Sequence, residues 1–174
     1  MANNIKDLIS VSIIGGSGYT GAELIRLVSS HPNFQLIQVV ANRSADKKIQ
    51  EIFPHLRHLN LPDFINFDQM DFDNVDLIFC ALPHATSQEI IVKIPEGKKI
   101  IDLSADFRLE SIEEYERWYG TKHTANSLQK KAVYGLTEIY KEKIKKGSLI
   151  ACTGCNSAAT LYPCLLYTSP SPRD

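Results

Sequence analysis

Cys155 stands where a strand-like run, Ile150-Ala151-Cys152, turns through Thr153 and Gly154 into a small-residue helix start, Asn156-Ser157-Ala158-Ala159-Thr160. Such a position suits a nucleophile. Unpaired backbone N–H groups and the dipole at a helix N-terminus favour negative charge, so they stabilise a thiolate, and the same N–H groups can hold an oxyanion. The other reading of a lone cysteine is a buried structural thiol. The rest of the chain supplies the reasons to prefer chemistry.

The first reason is Gly16-x-Gly18-x-x-Gly21, widened by Gly15. In a dinucleotide fingerprint one glycine makes the tight turn, the next lets backbone approach the pyrophosphate, and the third permits close helix packing. Here the glycines follow a strand and open a helix, the context the fingerprint requires. Gly15, Gly16, Ser17, Gly18, Tyr19, Thr20 and Gly21 are the candidate contacts. About 20 residues further on, an NAD site places an acidic residue for the ribose hydroxyls. This chain has Asn42-Arg43-Ser44 instead. An arginine and a hydroxyl suit a 2′-phosphate, so the expected cofactor is NADP(H), held there by Arg43 and Ser44; a solvated loop arginine is the alternative.

Asp102-Leu103-Ser104-Ala105-Asp106-Phe107-Arg108 lies at the C-terminal end of another strand, where open α/β sheets bind ligands. Arg108 can grip a phosphate bidentately, with Ser104 adding a hydroxyl; a structural ion pair from Arg108 to Asp106 or Asp102 fits the spacing equally well. Pro83-His84 ends the preceding strand and faces the expected cofactor, with His84 alternatively a plain helix-start residue. Cys152-x-x-Cys155 also fits a redox dithiol or half a zinc site. Zinc needs a second ligand pair, and His55 and His58 lie in an irregular stretch. The lack of a second pair argues against zinc, and no metal is predicted. A simple dithiol protein of this kind would have no use for the nucleotide fingerprint far upstream, which argues against the redox pair.

The elements that position these residues follow from periodicity. Ser10 to Ile14 reads as a buried strand, Ala22 to Ser30 as a helix, and Phe34 to Ala41 as a second strand, which completes a βαβ unit. The stretch from Asp46 to Asp73 reads as irregular connection with at most one short helix. Asp76 to Leu82 is a strand, Ala85 to Lys93 a helix, and Lys99 to Leu103 a strand. Glu110 to Lys146 reads as an excursion with one or two helices, before Ser148 to Cys152 returns as a strand. Alternating strands and helices imply an α/β fold, a Rossmann-type doubly wound parallel sheet.

The 174 residues carry a formal net charge of −1 with mixed signs, which gives no electrostatic case for nucleic acid or an anionic membrane. No apolar run reaches bilayer length, and Met1 to Asp7 is polar, so a cytoplasmic protein is expected. Its four cysteines are expected as thiols.

Together these residues resemble the N-terminal part of the N-acetyl-γ-glutamyl-phosphate reductases. The resemblance runs from Ile13-Ile14-Gly15 through Gly18 to Leu24, Phe79 to His84, Asp102 to Leu109, Trp118 to His123, and Ala132 to Leu136, up to Gly154-Cys155. It implies NADPH-dependent reduction of an acyl phosphate to a semialdehyde through a thioester on Cys155. Arg108, Ser104 and Asn156 would stand at the substrate phosphate, and the parent would be a homo-oligomer. It also implies domains: a nucleotide-binding domain over 1–152, the start of an α+β semialdehyde dehydrogenase dimerisation domain over 153–164, and a non-family tail over 165–174. The family continues into a substrate domain with a catalytic histidine, a role no histidine here can inherit, so the piece alone is expected to be inactive. Asn156-Ser157-Ala158 departs from the family's Tyr-Pro-Thr toward reductases of carrier-linked aminoadipyl or glutamyl phosphate.

Overall fold

The computed structural model describes residues 8–168. The elements in chain order are β1 (Ile9–Ile14), α1 (Tyr19–Ser29), β2 (Phe34–Val40), α2 (Ile49–Ile52), β3 (Phe64–Ile65), β4 (Leu77–Cys80) and α3 (Ser87–Ile91). There follow β5 (Lys99–Asp102), α4 (Ile112–Tyr119), α5 (Asn126–Gln129), β6 (Ala132–Gly135), α6 (Thr137–Lys146), β7 (Leu149–Cys152) and α7 (Cys155–Thr168). Among the described residues seven strands form one sheet in the order β3-β2-β1-β4-β5-β7-β6, every pairing parallel. The doubly wound reading is met.

The sheet is buried on both faces, as a parallel sheet with crossover helices requires. On one face Val11, Ile13 and Val39 pack with Ile25 and Val28 of α1 and with Phe64. On the other, Ile14, Val40, Ile78, Ile100 and Leu149 pack with Ile91 and Phe107. Val39 and Val40, neighbours in β2, serve opposite faces because successive strand side chains alternate. The chain leaves β1 toward β2 on one side and supplies β4 on the other. The switch point, and the crevice it opens, therefore lies beyond the C-terminal ends of β1 and β4.

Two stretches hold more than the sequence suggests. Within 46–73, α2 and the two-residue β3 form, and β3 becomes an edge strand because Phe64 and Ile65 register with Val39 and Val40. Within 110–146 there are three helices and a further strand, β6, paired with β7. Ser111 caps α4 by accepting the Glu114 N–H, and Gly120 ends that helix with φ +65°.

Helix α7 runs from Cys155 to Thr168 with Pro163 inside, across the boundary expected at residue 164, and buries none of its residues. The remainder of the expected tail, 169–174, lies outside the described residues. No helix among the described residues is long and apolar enough to cross a membrane.

Candidate active site

Gly15 leaves β1 with φ +88°, and a Cβ there would stand 2.4 Å from the Ala81 carbonyl oxygen. It, and not Gly16, supplies the left-handed conformation of the turn. Gly16 is pressed on Val39, whose Cγ1 would lie 2.1 Å from an added Cβ, and Gly21 packs α1 onto the turn, 2.5 Å from the Gly15 oxygen on the same test. Gly18, the N-cap of α1, would meet nothing closer than 3.9 Å. Three glycines thus fit the turn against the sheet, while the fourth leaves its outer side open.

That open side faces a cleft of about 680 Å³. Gly15, Ser17, Gly18 and Thr20 form one wall, Ala41 to Arg43 another, and Ala81 to Pro83 with Thr86 a third. Arg43 is on the cleft and solvent-exposed; Ser44 does not line it. Tyr19 is exposed and does not line the cleft, nor does His84, which is exposed with its ring 5.9 Å from that of Tyr119. Phe67 and Thr86 are lining residues that sequence reading missed. Phe67 is brought in by Asn42, whose Oδ1 accepts the Phe67 N–H at 3.1 Å across 25 positions, and no local pattern signals that bond.

A second cleft, of about 470 Å³, is lined by Arg108, Cys152, Gly154, Cys155 and Asn156. Cys155 opens α7 and is exposed, its thiol directed at the Asn156 side-chain oxygen 3.9 Å away. Arg108 makes neither of the ion pairs its spacing allows. Its Nε donates to the Cys152 carbonyl and its Nη2 to the Leu103 carbonyl, both at 2.8 Å. The remaining nitrogen, Nη1, lies where a Cβ on Gly154 would be 2.9 Å away, so glycine at that position makes room for the guanidinium. Cys152 is half-buried, and that burial pushes its thiol up from the ordinary range, partly offset by the charge of Arg108.

Ser104 is not brought to this cleft. It is buried, and its hydroxyl donates to Asp102 Oδ2 at 2.6 Å. Asp102, fully buried, also accepts from Ser87 at 2.5 Å and from the Ser104 N–H at 3.2 Å. Burial raises its carboxyl above the usual aspartate range, and the bonds from Ser104 and Ser87 oppose that shift.

The two clefts adjoin, because Thr20 and Leu103 line both. A glycine turn at the switch point of a doubly wound sheet, open on one side and continuous with a cysteine cleft, defines a dinucleotide-binding α/β domain joined to a thiol site. Residues 10–147 match the family model described as semialdehyde dehydrogenase, NAD binding domain, and the chain belongs to that family.

The N-acetyl-gamma-glutamyl-phosphate reductase of Rhodobacter capsulatus is 52% identical over 152 residues, covering 87% of this chain and 44% of its own length. The probable chloroplastic N-acetyl-gamma-glutamyl-phosphate reductase of Arabidopsis thaliana is 52% identical over 155 residues, or 89% of this chain and 39% of its own. The chain therefore spans less than half the length of these relatives. Among solved structures, aspartate semialdehyde dehydrogenase with NADP from Candida albicans superposes with a TM-score of 0.62 at 19% identity, over 94% of this chain and 48% of that one. That likeness is one of fold.

Proposed function

We propose that this chain is the cofactor-binding and nucleophile-bearing part of an NADPH-dependent reductase of N-acetyl-γ-glutamyl phosphate. The observation that carries the reading is the junction of the two clefts at Thr20 and Leu103, which sets an exposed helix-start cysteine beside the fingerprint crevice. The names of the relatives at about half identity supply the substrate.

The residues fit the cofactor. The open outer side of Gly18 leaves backbone approachable at the start of α1, where N–H groups and the helix dipole suit a pyrophosphate. Arg43 stands where β2 meets the cleft and would hold a 2′-phosphate. When bound, NADPH supplies the hydride.

Cys155 acts as thiolate on the acyl carbon: the Sγ–C bond forms, the bond from carbon to phosphate oxygen breaks, and phosphate leaves with that electron pair. Arg108, fixed by two carbonyls, presents its remaining nitrogen to the departing anion beside Gly154. Backbone N–H groups in the first turn of α7 stabilise the oxyanion as the thioester forms, each well-aimed donor contributing about 3 kcal/mol. Ser104 and Asp102, both buried, do not touch the anion; the Ser104 hydroxyl and N–H donate to Asp102, and the Asp106 N–H donates to the Ser104 hydroxyl, within the loop that carries Arg108.

The test is the reverse reaction, phosphate-dependent reduction of NADP by N-acetylglutamate semialdehyde, in the full-length parent and in its Cys155→Ala variant. Activity lost in the variant supports both reaction and nucleophile. Nucleotide binding with no turnover in either protein overturns the reading, in favour of a carrier-linked acyl phosphate or a module that binds NADP without catalysis. The 174-residue chain alone is expected to bind nucleotide and not to turn over.

A further inference from the structure

Asp106 is fully buried, and the ion pairs among the described residues lie elsewhere, on Glu23, Glu96 and Glu142. A carboxylate in that setting persists only if hydrogen bonds take the place of water. Its Oδ1 accepts the Ala85 N–H at 2.7 Å and the Tyr115 hydroxyl at 2.9 Å, and its Oδ2 accepts the Gln88 N–H at 3.0 Å. Its own N–H donates to Ser104 Oγ at 3.1 Å, and its carbonyl oxygen lies 2.9 Å from His123 Nε2.

The two backbone donors, Ala85 and Gln88, flank Thr86, and Pro83 precedes them; Pro83 and Thr86 line the cofactor cleft. Ala85 is held at φ +65°, a conformation that residues with a Cβ avoid, and Asp106 binds the N–H of that residue. On its other side, Asp106 shares a loop with Leu103 and Arg108, which line the thiol cleft. One carboxylate therefore ties the wall of the cofactor cleft to the loop that faces Cys155.

We infer that Asp106 is a positioning residue for the nicotinamide half of the cofactor. The inference rests on the cofactor reading above. The hydride-bearing end of the dinucleotide has to reach the junction with the thiol cleft at Leu103, and Leu103 is tied to the strand end that leads into Pro83 and Thr86, its N–H donating to the Cys80 carbonyl at 2.9 Å. The adenosine end belongs with Arg43 and Phe67, which Asp106 does not touch. Asparagine at position 106 keeps the volume but offers one acceptor oxygen, so either the Ala85 or the Gln88 N–H loses its partner and the wall is released.

The experiment measures binding of NADP and of 2′,5′-ADP, which carries the phosphorylated adenosine half only, to the 174-residue chain by titration calorimetry. Asp106→Asn is expected to weaken NADP about tenfold, the equivalent of one lost hydrogen bond, and to leave 2′,5′-ADP within about twofold. Tyr115→Phe, which removes one donor and leaves both backbone bonds, is expected to weaken NADP about threefold with the same selectivity, and it serves where Asp106→Asn does not fold. Equal weakening of both ligands, or unchanged NADP affinity in a folded variant, overturns the inference while the cofactor reading stands. A wild-type chain that binds neither ligand overturns the cofactor reading, and this inference with it.

Discussion

The guanidinium Nε of Arg108 donates to the carbonyl of Cys152 at 2.8 Å, which joins the loop after β5 to the last residue of β7. The Nη2 bond to Leu103 turns the same side chain into a clasp between adjacent strand ends. A lysine keeps the charge but has a single nitrogen, and it cannot reproduce a planar fork. Arg108→Lys is therefore expected to lower stability by about 2 kcal/mol, the value of one charged hydrogen bond, seen as an earlier urea midpoint for the 174-residue chain. In the full-length parent it should cut phosphate-dependent turnover about a hundredfold. Wild-type values in both would reduce Arg108 to a solvated surface residue.

Gly154 offers a sharper probe of the same clasp. A Cβ at 154 would approach Nη1 to 2.9 Å, and the guanidinium can retreat only by giving up a bond that its other nitrogens already make. Gly154→Ala should lose about 1 kcal/mol through one such bond. In the Arg108→Ala background, where the obstacle is gone, the same substitution should be nearly neutral. A double-mutant cycle by urea unfolding reads the difference; strict additivity would show that the two residues do not meet.

Gly15 and Gly97 separate backbone strain from steric obstruction. Both have a left-handed φ, +88° and +89°, but a Cβ at 15 would stand 2.4 Å from the Ala81 carbonyl oxygen, whereas at 97 it meets nothing within 4 Å. Gly97→Ala should cost only the conformational penalty of about 1 kcal/mol. Gly15→Ala adds displacement of backbone at the end of β4, so it should cost more than about 3 kcal/mol and abolish NADP binding. Thermal unfolding and nucleotide titration of the two variants, side by side, would show whether the turn matters through its space or only through its torsion.

What the sequence made legible was local. Val11 to Ile14 followed by glycines, and Ile150 to Cys152 followed by Gly154, each announce a strand running into a helix start within a few residues. Phe64–Ile65 and Ala132–Gly135 were not legible, because such short strands exist through their pairing with β2 and β7. The Asp102 to Arg108 run stood out as chemistry, yet the partners of its charges could not be read from spacing. Asp106 binds Ala85, 21 positions back, and Arg108 binds Cys152, 44 positions on. Those choices depend on which strand ends the sheet order makes neighbours, and that order is a long-range property of the fold.

Asp102 gives the fold a pH dependence with a definite sign. Burial holds its carboxyl above the ordinary aspartate value, so the native chain binds this proton more tightly than the unfolded chain does. Stability then falls as pH rises from about 3.9, the ordinary aspartate value, through the raised native value, and the loss is complete above it. Asp102→Asn removes that titration while keeping shape, and its amide can still meet Ser87 and Ser104 through one oxygen and one N–H group. The measurement is the melting temperature of wild type minus that of the variant, taken across acidic to neutral pH, where groups common to both cancel. The difference is expected to be most favourable to wild type at the acid end, to decline with rising pH, and then to level off. A difference that grows with pH would mean that Asp102 is stabilised as a carboxylate, with its hydroxyl and N–H donors outweighing the burial.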